Sequence, residues 1–191
     1  MTITRLIGLA GAARTGKSTA QGILADEFGL APVNFADPIK DALTAMLDVD
    51  FHRLDGAEKE TRLPGIGQSP RELMQTLGTE WGRHQNGSSF WIAVARRRLA
   101  MLENADGDAY RGAVFSDVRF NEEAEWLRQH GGLILHLHRQ DCAPVRAHAS
   151  EAGIYPRTGD VSIRNDGTLS ELRHQLIDAV FKSDRRGACF A

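Results

Sequence analysis

Cysteine is nearly absent from this chain: Cys142 and Cys189 are the only two in 191 residues. They stand far apart and form no metal-ligand spacing, which argues against a disulfide framework and makes a reduced cytoplasm the simplest setting. No apolar run approaches the ~20 residues that a membrane span requires, so no membrane partner is expected. The N-terminus has no basic segment followed by an apolar one, and its first apolar run leads straight into a glycine-rich turn. A secretion signal is therefore not expected. Neither sign of charge dominates, with 23 Lys and Arg against 25 Asp and Glu and a net charge of −2. A protein that lives on nucleic acid usually has a basic balance, so such contact here would need a local groove. No H-E-x-x-H pattern occurs among the seven histidines. His136 and His138 alternate along an apolar run and share one face of a strand. A metal pair is one reading of them, and satisfied or exposed strand histidines the other. Internal repeats, linkers and low-complexity tracts are also lacking. With 42% hydrophobic residues, the chain has the material for one core, and residues 1–191 read as a single domain.

What is present is the run Gly11-Ala12-Ala13-Arg14-Thr15-Gly16-Lys17-Ser18. It fits the phosphate-binding pattern G-x-x-x-x-G-K-[ST] at every fixed position. Ile3–Ala10 before it is mostly apolar and reads as a buried parallel strand. After it, Ile23, Leu24 and Phe28 share one helical face. The glycines let the loop curl so that successive N–H groups point inward as a nest for anionic oxygens. The helix opening near Lys17 adds its positive end. The expected nucleotide contacts are Gly11, Arg14, Thr15, Gly16, Lys17, Ser18 and Thr19. Lys17 is expected to reach the β- and γ-phosphates, and Ser18 to put its hydroxyl on Mg2+. The pattern implies a bound nucleoside triphosphate.

Further along, Gly29 ends the first helix and Leu30–Phe35 reads as a short strand. Asp37-Pro38 resembles a helix start with proline in the first turn, and the helix is predicted to reach Leu47. Residues 48–68 read as a loop. Ser69-Pro70-Arg71-Glu72 is a capping box opening a helix with Leu73, Met74 and Leu77 on its apolar face. A longer helix runs from Phe90 to about Glu103, with Trp91, Val94, Ala95, Leu99 and Leu102 spaced for burial. Arg96-Arg97-Arg98 across it reads as a solvated face, or as one phosphate contact among three arginines. Ala113–Arg119 reads as a central strand ending in Asp117 and Arg119, and ligands sit at the carboxyl ends of such strands. Asn121 is expected to cap the next helix, whose apolar face carries Ala124, Trp126 and Leu127. Gly132–His138 is a further strand, residues 139–160 are irregular, and Val161–Asn165 is the last strand. Thr168-Leu169-Ser170-Glu171 is a second capping box, opening a helix through Leu172, Leu176, Ile177, Val180 and Phe181. Alternating strands and helices predict an α/β fold in three layers, a parallel sheet with helices on both faces.

Several stretches together resemble the deoxynucleoside monophosphate kinases of tailed phages. They are Phe35–Leu43, Arg71–Thr79, Ser116–Arg119, and the closing Ser150–Ile154 with Ile163–Gly167. They keep their order over nearly the whole chain, and the RELMQTLGTE run and the HASEAGI…IRNDG tail are the most specific. The resemblance implies a P-loop kinase fold, ATP on Lys17 and its loop, and Mg2+ as cofactor. It places Asp37, Ile39, Lys40, Arg71, Trp91, Asp117, Arg119 and Glu123 near the monophosphate, within an acceptor-binding region of about 37–91 and the strand end beyond it. It makes residues 139–160 a lid that closes over the phosphates, with Arg157 as its aligned arginine. Such an enzyme would work in the cytoplasm, that of the host if phage-encoded. Two departures stand out: the segment between Lys40 and Arg71 is shorter than in the longer phage members, and Asp37 replaces a glycine.

The chemistry agrees with the resemblance. Transfer between two anions is mostly positioning and positive charge, and an acceptor oxygen that is already anionic needs no strong general base. Lys17, Arg71, Asp117, Arg119 and Arg157 are the expected catalytic set. Arg71 and Arg119 suit bidentate capture of the acceptor phosphate, with surface salt bridges as the plain alternative. Asp117 would orient Arg119 or a magnesium-bound water. The nearest rival keeps the fold and changes the acceptor to the hydroxymethyl group of 5-hydroxymethyluracil in phage DNA. There Asp37 or Asp117 would serve as general base and DNA would be a partner. A GTPase-like switch lacks its guanine-reading Asn/Thr-Lys-x-Asp run, and a nicotinamide-binding domain does not fit Gly16-Lys17-Ser18. The accepted base stays open, as does the choice between monomer and homodimer.

Overall fold

The computed structural model describes residues 5–50, 54, 56–105, 110–140 and 153–188. Those residues gather into two compact units, one of Met1–Asn34 with Arg96–Ala191 and one of Phe35–Ala95. Cys142, Cys189 and Arg146 lie outside the described residues, as does the 141–152 stretch of the expected lid.

The first unit is built on a five-stranded, wholly parallel sheet in the order β2-β3-β1-β4-β5. Its strands are β1 (Arg5–Ala10), β2 (Leu30–Val33), β3 (Gly112–Phe115), β4 (Leu133–His138) and β5 (Val161–Arg164). Parallel neighbours need crossovers, and the helices supply them. These are α1 (Lys17–Phe28), α4 (Phe90–Ala105), α5 (Asn121–Gln129) and α6 (Leu169–Ala188). Strand side chains alternate, so β1 and β4 serve two layers. Ile7, Leu9, Leu135 and Leu137 pack with Leu24 of α1 and Leu172 and Leu176 of α6. On the other side, Phe115 meets the edge of the Trp126 ring of α5, centroids 6.1 Å apart. The fold is the predicted three-layer α/β arrangement.

Local chemistry sets most of the helix ends. The second capping box forms as predicted: Thr168 N–H donates to Glu171 Oε2 at 2.7 Å, and Glu171 N–H donates to Thr168 Oγ1 at 3.2 Å. Asn121 does not cap α5. The carboxylate of Glu123 takes that place, accepting the N–H groups of Arg119 (2.9 Å) and Phe120 (3.2 Å), while Asn121 Oδ1 accepts Tyr155 N–H at 2.9 Å. Phe181 is 54% exposed, not buried, and stacks edge-on against Phe28. Ala179 takes the inward place instead.

The second unit has its own core around Ile39, Leu43, Leu54 and Trp91. Its elements are α2 (Asp37–Leu47), a 3-10 helix (Gly56–Glu60), α3 (Pro70–Gln75) and a π-helix (Thr76–Gln85). The 48–68 stretch is thus not simply loop: it carries the 3-10 helix, and Leu54 is wholly buried. The Ser69–Glu72 capping box forms, with Ser69 N–H on Glu72 Oε2 at 2.8 Å and Glu72 N–H on Ser69 Oγ at 3.3 Å. The ladder then widens into the π-helix. The indole N–H of Trp91 donates to the Gly78 carbonyl at 2.7 Å, and a Cβ at Gly82 would collide with the indole ring. A regular α-helix offers no such opening to an indole; π-turns are rare and mark places where something has been fitted in.

Candidate active site

The loop between β1 and α1 takes its shape from three residues with positive φ: Gly11 (140°), Arg14 (66°) and Gly16 (95°). A Cβ at Gly11 would strike the Leu137 carbonyl, and one at Gly16 would strike the Asn165 amide. Only glycine fits either place. Arg14 holds its left-handed conformation at a cost of about 1–2 kcal/mol and is exposed. Thr15 is buried, with its hydroxyl on the Ala12 carbonyl at 2.9 Å. Asn165 Nδ2 donates to the Thr15 carbonyl at 2.9 Å. Lys17 Nζ donates to the carbonyls of Gly11 (2.7 Å) and Ala12 (2.6 Å), within its own loop. Gly16 is the N-cap of α1, no side chain caps that helix, and its first turn holds no acid. A positive helix end without an acidic or capping side chain is suited to an anion. Ser18 and Thr19 are exposed in the first turn of α1. The donor set fits a phosphate chain with Mg2+ on the Ser18 hydroxyl.

Beside this loop the strand ends are tied together. Gln21, buried on α1, donates its Nε2 hydrogens toward Val114 O (2.9 Å), Asn34 Oδ1 (3.1 Å) and Val33 O (3.3 Å). Asn34 Oδ1 also accepts Ser116 N–H at 3.1 Å and Ser116 Oγ–H at 2.7 Å. The side chain of Asn34 thus takes Ser116 N–H just past the last β2–β3 pair, where β3 ends at Phe115, short of the predicted Arg119. Asp117 and Arg119 follow on the loop at the sheet's carboxyl edge, both half-buried. The bonds from Glu123, which is 2% exposed, fix the backbone of Arg119. Glu123 is therefore occupied with backbone donors where the resemblance sends it to the monophosphate.

At β4 and β5 a second polar cluster forms. Asp160 accepts Arg128 Nε (3.0 Å) and Nη2 (2.6 Å), His136 Nε2 (2.9 Å) and Arg157 N–H (2.9 Å). Burial by itself raises the Asp160 carboxyl. The bonds from Arg128, His136 and the Arg157 backbone, with the charge of Arg128, outweigh that and hold it below the usual carboxylate range. An ionised carboxylate only accepts, so His136 Nε2 carries the proton of its bond. His138 is exposed. Arg157 lies on the α5 surface, its Nη1 3.0 Å from Glu125 Oε2, and is 61% exposed.

In the second unit, Asp37 and Lys40 sit in the first turn of α2 and are half-buried. Ile39 and Trp91 are brought into one apolar cluster. Arg71 Nε lies 2.5 Å from Glu60 Oε1, the salt-bridge alternative. Trp81 is 42% exposed, edge-on to Phe90 with centroids 5.3 Å apart. Of the arginine triplet on α4, Arg96 and Arg97 are exposed and Arg98 is half-buried.

Sequence reasoning missed Gln21, Asn34, Asp160 and Asn165 as parts of this machinery. Gln21 had a signal, being a polar residue on the inward face of a helix. Asn165 stood inside the IRNDG run without a role of its own, and Asn34 and Asp160 had no signal, since their partners are remote in sequence.

A family model for deoxynucleotide monophosphate kinase matches residues 64–176. The chain is 29% identical over 189 residues to a protein of Acanthamoeba polyphaga mimivirus provisionally named deoxynucleotide monophosphate kinase, covering 92% of this chain and 95% of that one. It is 29% identical over 158 residues to the deoxynucleotide monophosphate kinase of Enterobacteria phage T4, covering 82% of this chain and 58% of the relative. Against the phage relatives it spans about half of their length. Among solved structures, a gluconokinase from Sinorhizobium meliloti 1021 superposes with a TM-score of 0.54 at 12% identity, covering 100% of this chain and 99% of that one; this likeness speaks to the fold alone. The match over more than half of the chain, on a phosphate loop of this geometry, makes it a member of the deoxynucleotide monophosphate kinase family.

Proposed function

We propose that this protein transfers the γ-phosphoryl group of ATP to the phosphate of a deoxynucleoside monophosphate, in the cytoplasm of a host cell. One observation carries the proposal: in a chain of this family, a strand–loop–helix of phosphate-binding sequence has its two glycines and Arg14 at positive φ around a helix end without a side-chain cap. The Lys17 ammonium exchanges its two loop carbonyls for β- and γ-phosphate oxygens. Mg2+, held by the Ser18 hydroxyl, supplies charge neutralisation between those phosphates when bound. An oxygen of the monophosphate forms the new bond to the γ-phosphorus, and the bond from that phosphorus to the β,γ-bridging oxygen breaks, so that ADP leaves. Arg119 steadies the acceptor phosphate, and Asp117 orients Arg119 or a magnesium-bound water. In the second unit, Arg71 exchanges Glu60 for phosphate. Arg157 exchanges Glu125 for phosphate; exposed ion pairs are worth only about 0–1 kcal/mol, so the exchange costs little. The region from Asp37 to Trp91 serves as the acceptor-binding part.

The test is ATP turnover with Mg2+ against a panel of ribo- and deoxynucleoside monophosphates, with unmodified and hydroxymethyluracil-containing DNA included. Diphosphate formation from at least one deoxynucleoside monophosphate is expected. Phosphate transfer to the modified DNA alone would move the acceptor from the free nucleotide to the strand.

A further inference from the structure

Neither the phosphate-loop pattern nor the family resemblance sends Asn165 to the phosphates, yet its side chain fixes the last turn of the loop. Its position is set by its own backbone. The Asn165 N–H donates to the His138 carbonyl at 2.8 Å, continuing the β4–β5 ladder one step past Arg164. From there Nδ2 reaches the Thr15 carbonyl at 2.9 Å. The partner is a carbonyl, so the nitrogen of the amide has to face it.

A trans peptide is planar, and its C=O and N–H point in opposite directions. No peptide among the described residues is cis. Holding the Thr15 carbonyl toward Asn165 therefore turns the Gly16 N–H away from it. A nest works only if its successive N–H groups converge on one point. Local bonds hold the other side of the loop: the Thr15 hydroxyl and the Lys17 ammonium both engage Ala12 O, and Lys17 engages Gly11 O. The Thr15–Gly16 peptide is held from 150 positions away in the chain. The same amide fills the space that a Cβ on Gly16 would need.

We infer that Asn165 is a positioning residue for the donor nucleotide: by anchoring the Thr15 carbonyl it aims the Gly16 amide into the anion-receiving side of the loop. This rests on the reading that the loop takes ATP. Loss of the anchor frees the peptide to rotate and weakens the nest without touching the acceptor part.

The experiment compares the full-length parent with Asn165→Ala, Asn165→Asp and Gln175→Ala. Affinity for Mg-ATP is read by calorimetry, KM for each substrate by turnover, and folding by thermal melts. Gln175 bonds both to the N–H and to the C=O of Arg164 on the same strand edge but does not reach the loop. Asn165→Ala is expected to weaken ATP binding about tenfold, the scale of one hydrogen bond. The KM for the monophosphate should stay within about twofold of the parent, since only the donor side is disturbed. Asn165→Asp should lose more, because a carboxylate cannot donate to Thr15 and sets a negative charge beside the phosphates. It is nearly isosteric with the native side chain, and it carries the test if the alanine variant fails to fold. Gln175→Ala should keep the parental ATP affinity. Unchanged ATP affinity in both Asn165 variants would overturn the inference, and so would an equal loss in Gln175→Ala, which would trace the effect to β5 as a whole. A parent that does not bind ATP would overturn the functional reading, and the inference with it.

Discussion

The Lys17 ammonium donates to the carbonyls of Gly11 and Ala12, bonds that close its own surface loop and not the core. Its removal therefore costs the fold little and the reaction much. Lys17→Ala should keep the parental circular dichroism while turnover falls at least a hundredfold, a loss of about 2.7 kcal/mol of transition-state stabilisation at 1.36 kcal/mol per factor of ten. Activity within tenfold of the parent would sink the role given to Lys17. Asp160 has the reverse character, structural first. Its carboxyl titrates lower in the folded chain than in the unfolded one. Between the two values the unfolded chain binds more protons, so stability rises with pH there. The contribution is complete above the unfolded value of about 3.9, fades as the pH falls below it, and is lost once the pH has passed through the lower folded value. Asp160→Asn should be less stable than the parent at pH 7 by about 2 kcal/mol, the scale of hydrogen bonds to charged groups. The gap between the two melting temperatures should narrow on acidification through that window; a gap that stays constant would show that the charge of Asp160 is not what stabilises.

Among the elements, the π-helix departs furthest from what its sequence announces. The capping box at Ser69 starts an ordinary helix, and RELMQTLGTE continues with residues that suit one. What opens the ladder is Trp91 of α4, whose indole N–H takes the Gly78 carbonyl at 2.7 Å. Trp91→Phe keeps an aromatic ring, gives up the five-membered ring of the indole and deletes the donor, leaving the Gly78 carbonyl without its indole partner. A cost of about 1–3 kcal/mol is expected for the buried acceptor, with faster hydrogen exchange confined to residues 76–85. Unchanged exchange there would mean that the glycines and the packing, not the indole bond, hold the wide turns.

For the whole molecule, the two units carry separate cores. Hydrogen exchange with each ligand alone should give two different footprints. ATP with Mg2+ should protect the loop and the first turns of α1, and a deoxynucleoside monophosphate should protect α2 and the π-helix. If the monophosphate protected the phosphate loop alone, the acceptor role of residues 37–91 would fall. None of the described helices is long and apolar enough to cross a membrane.

The phosphate loop, the α/β alternation and both capping boxes were legible in the sequence because each depends on neighbours a few positions apart. Glycine spacing, helical period and the Ser/Thr-x-x-Glu pattern are local quantities. The sheet order, the burial of Leu54, the π-helix and the replacement of Asn121 by Glu123 as the cap of α5 were not. The first two of these are decided by packing against distant elements. The π-helix depends on an indole from another helix, and Asn121 is drawn off by the N–H of Tyr155, 34 positions away. The same holds within the site. Gly11, Gly16, Lys17 and Ser18 announce a phosphate by themselves, whereas the bonds through Asn34 and Asn165 join strand ends that only the folded sheet brings side by side. Sequence determined the glycine spacing of the phosphate-loop pattern; tertiary structure decided what holds the Thr15 carbonyl, because its partner, Asn165, lies 150 positions away.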